Sequence, residues 1–209
     1  MIALRDCGDC GNRRHVFSPE RGWEPCDCVK RAKIAKARQT AGLAGILASE
    51  DWARCADRYR FLPARGFVDL ALAARAGKPQ DMVLHGAYRG VEVTFALILG
   101  DVIERGVAVR VTDARALVDQ AFARDTDAPD PAKEPVLGLR LGSEPQHSWT
   151  AGLVERLLIA RAGQGLPTIV AAAREPSVLL GMYGRAPGID GTLGRFPSVR
   201  VDQKEGRGG

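Results

Sequence analysis

No apolar run in this 209-residue chain approaches the roughly 20 residues that a membrane-spanning helix needs; the longest, Val93 to Leu99, is broken by Gly100 and Asp101. The start of the chain shows no apolar signal segment. The expectation is therefore a soluble, cytoplasmic protein with no membrane partner and no oxidising compartment in which its cysteines would form a disulfide framework. Histidine is scarce, at three residues, and His147 has no neighbours that suggest catalysis. What is present is an ordinary hydrophobic fraction of 45% and enough chain for one mid-sized α/β core with a small appended module. A net charge of +5 and a pI of about 9.1 favour nucleic acid or an acidic partner.

The most informative stretch is 82 to 122. MVLHG (Met82 to Gly86) reads as a short buried strand, Gly86 to Gly106 as a glycine turn and an apolar helix, Val107 to Thr112 as a second strand, and a second helix follows. That is the frame of a phosphate-binding loop, which requires G-x-x-x-x-G-K-[ST] after the first strand. Gly86 fits the first glycine, but Val91 stands where the second belongs, Glu92 at the lysine and Val93 at the Ser/Thr. Such a loop holds phosphate through converging backbone N–H groups, a lysine cation and a hydroxyl on Mg²⁺. Val91 puts a branched side chain where backbone must approach phosphate. Glu92 reverses the charge, and at ~4 Å from a phosphate a like charge costs about 4 kcal/mol at an effective dielectric near 20. Val93 has no metal ligand to offer.

From Met82 onward the chain resembles the AAA+ core of DnaC-type replicative helicase loaders and their IstB-type transposition-helper relatives. In that family the strand leads into G-P-P-G-T-G-K-T-H-L-A; here Phe95 and Ala96 fit the final pair, Arg105 and Gly106 close the helix, and Ala116, Leu117 and Val118 keep the register without a gap. The resemblance implies an apolar strand ending in Asp-Asp-Leu-Gly-x-Glu, and VLGLRLGSE matches it at Leu141, Gly142 and Glu144. Leu139 then takes the metal-organising position and Arg140 the catalytic one. PTIVAAA (Pro167 to Ala173) resembles the next strand, with Ala173 where the family carries a polar sensor. Arg185 and Arg195 have no secure match to the family's later sensor arginine.

The resemblance thus implies an α/β fold, a P-loop NTPase (AAA+-like) parallel sheet of about five strands with helices on both faces, whose nucleotide positions Gly86, Val91, Glu92, Val93, Leu139, Arg140 and Ala173 form a degenerate site. ATP and Mg²⁺ are not expected as cofactors, and no residue is assigned to catalysis. In such folds the loop lysine and the strand-end acids face one another. Here the signs are swapped, so Glu92 and Arg140 are expected either to form an ion pair or to be separately solvated.

The amino-terminal Cys7-Gly-Asp-Cys10 and Cys26-Asp-Cys28 are two closely spaced pairs, the pattern of a tetrahedral structural Zn²⁺. A CxxC redox motif would need a preceding strand, for which there is no room before Cys7. His15 is an alternative ligand read as a surface hairpin residue, and Cys55 as a small buried apolar residue. Many members of the resembled family begin similarly, with a zinc ribbon before a basic helix. Arg13, Arg14, Lys30, Arg31, Lys33, Lys36 and Arg38 cluster on this module as a nucleic-acid or protein contact. No aromatic ladder accompanies them, and Phe17 and Trp23 are the only nearby aromatics.

The expected organisation is a zinc-ribbon module and basic helix over 1–38, a helical connector over 39–80 with Trp52 and Tyr59 on one face, a degenerate AAA+ core over 81–202 and a disordered tail over 203–209. The function this implies is a non-catalytic scaffold in DNA replication or transposition, docked on a replicative helicase or an AAA+ paralogue and with DNA as a further partner. The alternatives are a working ATP-binding loader with an unorthodox loop, in which Arg89 reaches phosphate, and a DNA-binding regulator of mobile-element origin.

Overall fold

A computed structural model describes residues 7–43, 79–123, 130–142, 148–172, 174–183 and 187–201. The connector helices with Cys55, Trp52 and Tyr59, the loop His147, Glu144, Ala173, Arg185 and the tail lie outside the described residues, as does the side chain of Arg89.

The first unit is a hairpin, β1 (His15–Ser18) and β2 (Gly22–Pro25), followed by helix α1 (Asp27–Thr40). Phe17 pairs with Trp23 and Ser18 with Gly22, whose φ of 75° closes the three-residue turn. Cys10, Cys26 and Cys28 are buried beneath the hairpin, with Cys7 and Val16 packed against them.

The main sheet has five parallel strands, β3 (Met82–Gly86), β4 (Val109–Asp113), β5 (Val136–Leu141), β6 (Thr168–Ala172) and β7 (Ser198–Val201), in the order β4-β5-β6-β3-β7. The second strand starts two residues later and ends one later than the apolar run suggested, because Val107 is used to finish the preceding helix. That helix, α2 (Tyr88–Glu104), ends with Gly106 at φ 81°, Gly106 N–H donating to Ile103 O and Val107 N–H to Val102 O.

Both faces of the sheet are covered, as near-continuous apolar strands require. Met82, Leu84, Val136, Ile169 and Ala171 point to the face covered by α2, where Phe95, Ile98, Leu99 and Val102 are buried. Val83, Leu137, Leu139, Val170 and Ala172 point to the other, covered by α3 (Ala114–Ala123), α4 (Ser148–Gln164), α5 (Pro176–Met182) and α6 (Pro187–Leu193). Asp113 caps α3 by accepting the Ala116 N–H at 2.7 Å. Gly138 in mid-β5 has a steric reason to be glycine: a Cβ there would lie 2.6 Å from Leu99 Cδ1 and from Phe95 Cζ.

The cysteine module does not hang free. Ile34 of α1 packs against the α2-side core, Arg38 pairs with Glu104 of α2, and buried Ala41 accepts the Val111 N–H at the edge of β4. No helix among the described residues is long and apolar enough to cross a membrane.

Candidate functional site

The position of a phosphate loop is the turn between β3 and α2. Here that turn is almost absent: β3 ends at Gly86, Ala87 is the N-cap, and helix begins at Tyr88. The Val91 N–H, which sits where the second loop glycine belongs, is bonded within the helix to Ala87 O at 2.9 Å, and Val91 is buried. Gly86 has φ 126°, and a Cβ there would collide with the Val201 carbonyl. The Ala87 N–H donates to that same carbonyl at 3.1 Å, tying the turn to β7.

One turn into α2, Glu92 faces the end of β5. Arg140 Nε donates to Glu92 Oε2 at 3.1 Å, the pairing that the swapped charges made one of two expectations. The side chains are 17% and 29% exposed, so the pair is partly desolvated rather than a solvated surface contact. The Arg140 guanidinium also lies over the Phe95 ring, 5.8 Å from its centroid, a cation–π contact. Val93 is half-buried against the core and Leu139 fully buried, so neither offers a polar atom to the site. The strands bearing Gly86 and Arg140 are separated by β6.

The four cysteines of the amino-terminal module come together as the spacing predicts. Their sulfur atoms all lie within 4.8 Å of one another, with Cys7 to Cys26 at 3.8 Å and Cys10 to Cys28 at 3.6 Å. A Zn²⁺ bound tetrahedrally at about 2.3 Å needs sulfur–sulfur edges of about 3.8 Å, so the donor set fits a metal of that size and softness. All four are free thiols, and His15, exposed on β1, is outside the cluster. Burial and the neighbouring thiols push the Cys28 thiol up to about 12. Burial also acts to raise Cys10, but hydrogen bonding with the Arg14 backbone and the Cys28, Cys7 and Cys26 side chains outweighs it and lowers the thiol to about 7. The first knuckle is built by Gly11 N–H to Cys7 O at 2.8 Å and Arg13 N–H to Cys10 O at 3.0 Å, with Asn12 and Arg14 at positive φ.

The seven basic residues grouped by sequence lie on the first knuckle and along α1. Arg13 and Arg14 are exposed on the knuckle, and Lys33 and Lys36 are exposed on α1. Lys30 and Arg31 line a groove of about 670 Å³ between α1 and α2, shared with Asp27, Ile34, Asp101, Glu104 and Arg105. Arg38, grouped with them by sequence, is half-buried and paired with Glu104 of α2.

A further arginine escaped the sequence reading. Arg161, in the last turn of α4, is fully buried. Its Nε donates to Thr168 Oγ1 at 2.9 Å, Nη1 to Pro131 O and Glu134 O at 2.8 Å, and Nη2 to Pro167 O at 2.6 Å. Asp81 accepts the Thr168 N–H at 2.7 Å beside it. Burial lowers Arg161 to about 10 against the opposing charges of Asp81 and Glu134. These partners precede β5 and open β6, so Arg161 ties down the edge of the sheet opposite the Glu92–Arg140 pair. The same helix carries Glu155 and Arg156, so nothing in the local sequence singles Arg161 out.

No family model matches the chain, and no curated protein matches it. Solved structures do. A crystal structure of DnaI is 19% identical, with 68% of this chain aligned to 83% of that one at a TM-score of 0.51. A crystal structure of the DnaC helicase loader is 15% identical over 66% of this chain and 88% of that one, TM-score 0.51. The replication initiator DnaA bound to AMPPCP and single-stranded DNA is 14% identical over 67% of this chain and 46% of that one, TM-score 0.51. At these identities the likeness is one of architecture: the chain has the P-loop AAA+ fold shared by helicase loaders and replication initiators, preceded by a small four-cysteine module that fits zinc.

Proposed function

We propose that this protein is a non-catalytic member of the helicase-loader type, which uses its AAA+ fold as a scaffold and acts in replication or transposition by docking on a replicative helicase or an active AAA+ relative. The Glu92–Arg140 pair carries this reading. In the register of the family resemblance Glu92 takes the place of the phosphate-binding lysine and Arg140 that of a metal-site acid, and in this fold each satisfies the other. A second support is the helical turn at Val91, whose N–H is bonded inside α2 rather than offered to an anion. The fold's likeness to helicase loaders supplies the class of partner.

Cys7, Cys10, Cys26 and Cys28 would hold Zn²⁺, which supplies a structural cross-link in place of a hydrophobic core that a module of this size cannot build. The module's packing on α2 makes it part of the scaffold's shape. A chelator strong enough to remove zinc is expected to abolish the hairpin while leaving the parallel sheet folded, seen as loss of hairpin amide dispersion against unchanged sheet resonances.

Sedimentation velocity of the zinc-loaded protein with a purified replicative helicase tests the docking. A stoichiometric complex that forms equally with and without ATP is the expected result. Failure to associate with the helicase or with an active AAA+ relative contradicts it.

A further inference from the structure

The zinc cluster uses only one face of the β1–β2 hairpin. Along β1 and β2 the alternation turns Val16 toward the cysteines and leaves His15, Phe17, Trp23 and Pro25 outward. His15 is paired with Pro25 and Phe17 with Trp23, so the four form two adjacent cross-strand pairs on one exposed face. Phe17 is 62% and Trp23 67% exposed, the rings meeting edge to face at 5.6 Å. Exposing two large aromatics forfeits burial free energy, and the neighbouring core gives them nothing to cover.

We infer that this face is a stacking platform for single-stranded nucleic acid. Unpaired bases present π-faces of the size of these rings and stack on them without regard to sequence. The choice of nucleic acid over a protein groove rests on charge. Arg13 and Arg14 are exposed on the knuckle that leads into β1, and Arg14 lies at the ribbon's open end, its carbonyl accepting the Cys26 N–H at 2.9 Å. At the other end Arg21 is paired with Glu24 at 3.4 Å beside exposed Glu20, so the positive charge is concentrated at the knuckle end. Residues 7 to 40 hold eight Lys and Arg against four Asp and Glu, so the module stays net positive even with two formal negative charges on a zinc tetrathiolate. A backbone tracking from Arg13 and Arg14 across the hairpin would lay its bases on the rings. This adds a nucleic-acid contact to the scaffold and is independent of whether the core binds ATP, since the two are read by different ligands.

Anisotropy titration of the full-length, zinc-loaded protein with a fluorescein-labelled oligothymidylate of about 16 nucleotides tests it. Wild type is expected to bind at low salt and to prefer the single strand over a duplex of equal length. Trp23→Ala is expected to weaken binding about tenfold, and Trp23→Phe, which keeps a stacking face, to recover most of it. Arg13→Ala with Arg14→Ala should flatten the salt dependence, because fewer counterions are released. Zinc content and circular dichroism establish that each variant is folded. Wild type that does not bind the oligonucleotide, as a purely protein-docking face would behave, overturns the proposal; so does folded Trp23→Ala that binds like wild type.

Discussion

Two arginines mark opposite edges of the same parallel sheet, and they are held in different ways. Arg161, at the edge where the strands begin, is fully buried, and its four hydrogen bonds go to three backbone carbonyls and the Thr168 hydroxyl. Arg140, at the edge where the strands end, is 29% exposed and leans on one carboxylate and one ring. In open α/β sheets ligands bind at the carboxyl ends of the strands. The starting edge is built as a permanent lock. The ending edge carries a modest ion pair, which under the proposed reading stands in for a ligand's charges.

The comparison breaks most visibly at Arg161. Arg161→Met removes one partner of a buried polar network and leaves Asp81, Thr168 and three carbonyls without it, a loss of about 3–5 kcal/mol. Chemical denaturation measures it, and a cost as small as that of Arg140→Met would erase the distinction between the two edges.

The next largest effect is Gly138→Val. The new side chain meets Leu99 and Phe95 at distances that neither tolerates, so α2 must lift from the sheet, at about 1–3 kcal/mol. The displaced Phe95 ring should also move under Arg140, and the Arg140 Nε resonance reports that shift.

Smaller again is the ion pair itself. A double-mutant cycle with Glu92→Ala and Arg140→Ala is expected to give a coupling energy of about 1 kcal/mol, reduced by salt. Zero coupling at low salt means the two are independently solvated, and the charge swap loses its structural meaning.

The smallest effect lies in pH. Burial raises the Asp81 carboxyl above its ordinary 3.8, against the Thr168 N–H and the Arg161 charge. A raised acid favours the folded state while protonated, so this contribution is present below 3.8 and lost as pH climbs through the folded value. Wild type should lose stability relative to Asp81→Asn over that window, read from melts at several pH values. The opposite slope would show that Arg161 governs the carboxylate more than burial does.

Much of this was legible in the chain. Apolar runs bounded by Gly86, Gly106 and Gly165 delimit strands and helices, because those glycines adopt the positive φ that ends them. The cysteine spacing states its own geometry, and the positions that the family resemblance sets face to face made a pair between Glu92 and Arg140, 48 residues apart, one of two expectations. Strand β4 starts two residues and ends one residue later than its apolar run because local hydrophobicity does not say how much chain a helix end uses. Arg38 read as surface charge because periodicity does not reveal that Glu104 of another helix waits opposite it. Arg161 was invisible for the same reason: its partners are carbonyls, which every residue has. The Phe17–Trp23 pair needed the hairpin register before two scattered aromatics became one face.

The central claim is that the helical turn at Val91 and the Glu92–Arg140 pair occupy the nucleotide position. Titration of the purified, zinc-loaded protein with a fluorescent ATP analogue in Mg²⁺, beside a Glu92→Lys plus Val93→Thr variant, tests it most directly. The account predicts no saturable binding by the wild-type protein. Saturable, Mg²⁺-dependent binding by wild type, displaced by unlabelled ATP, would contradict it.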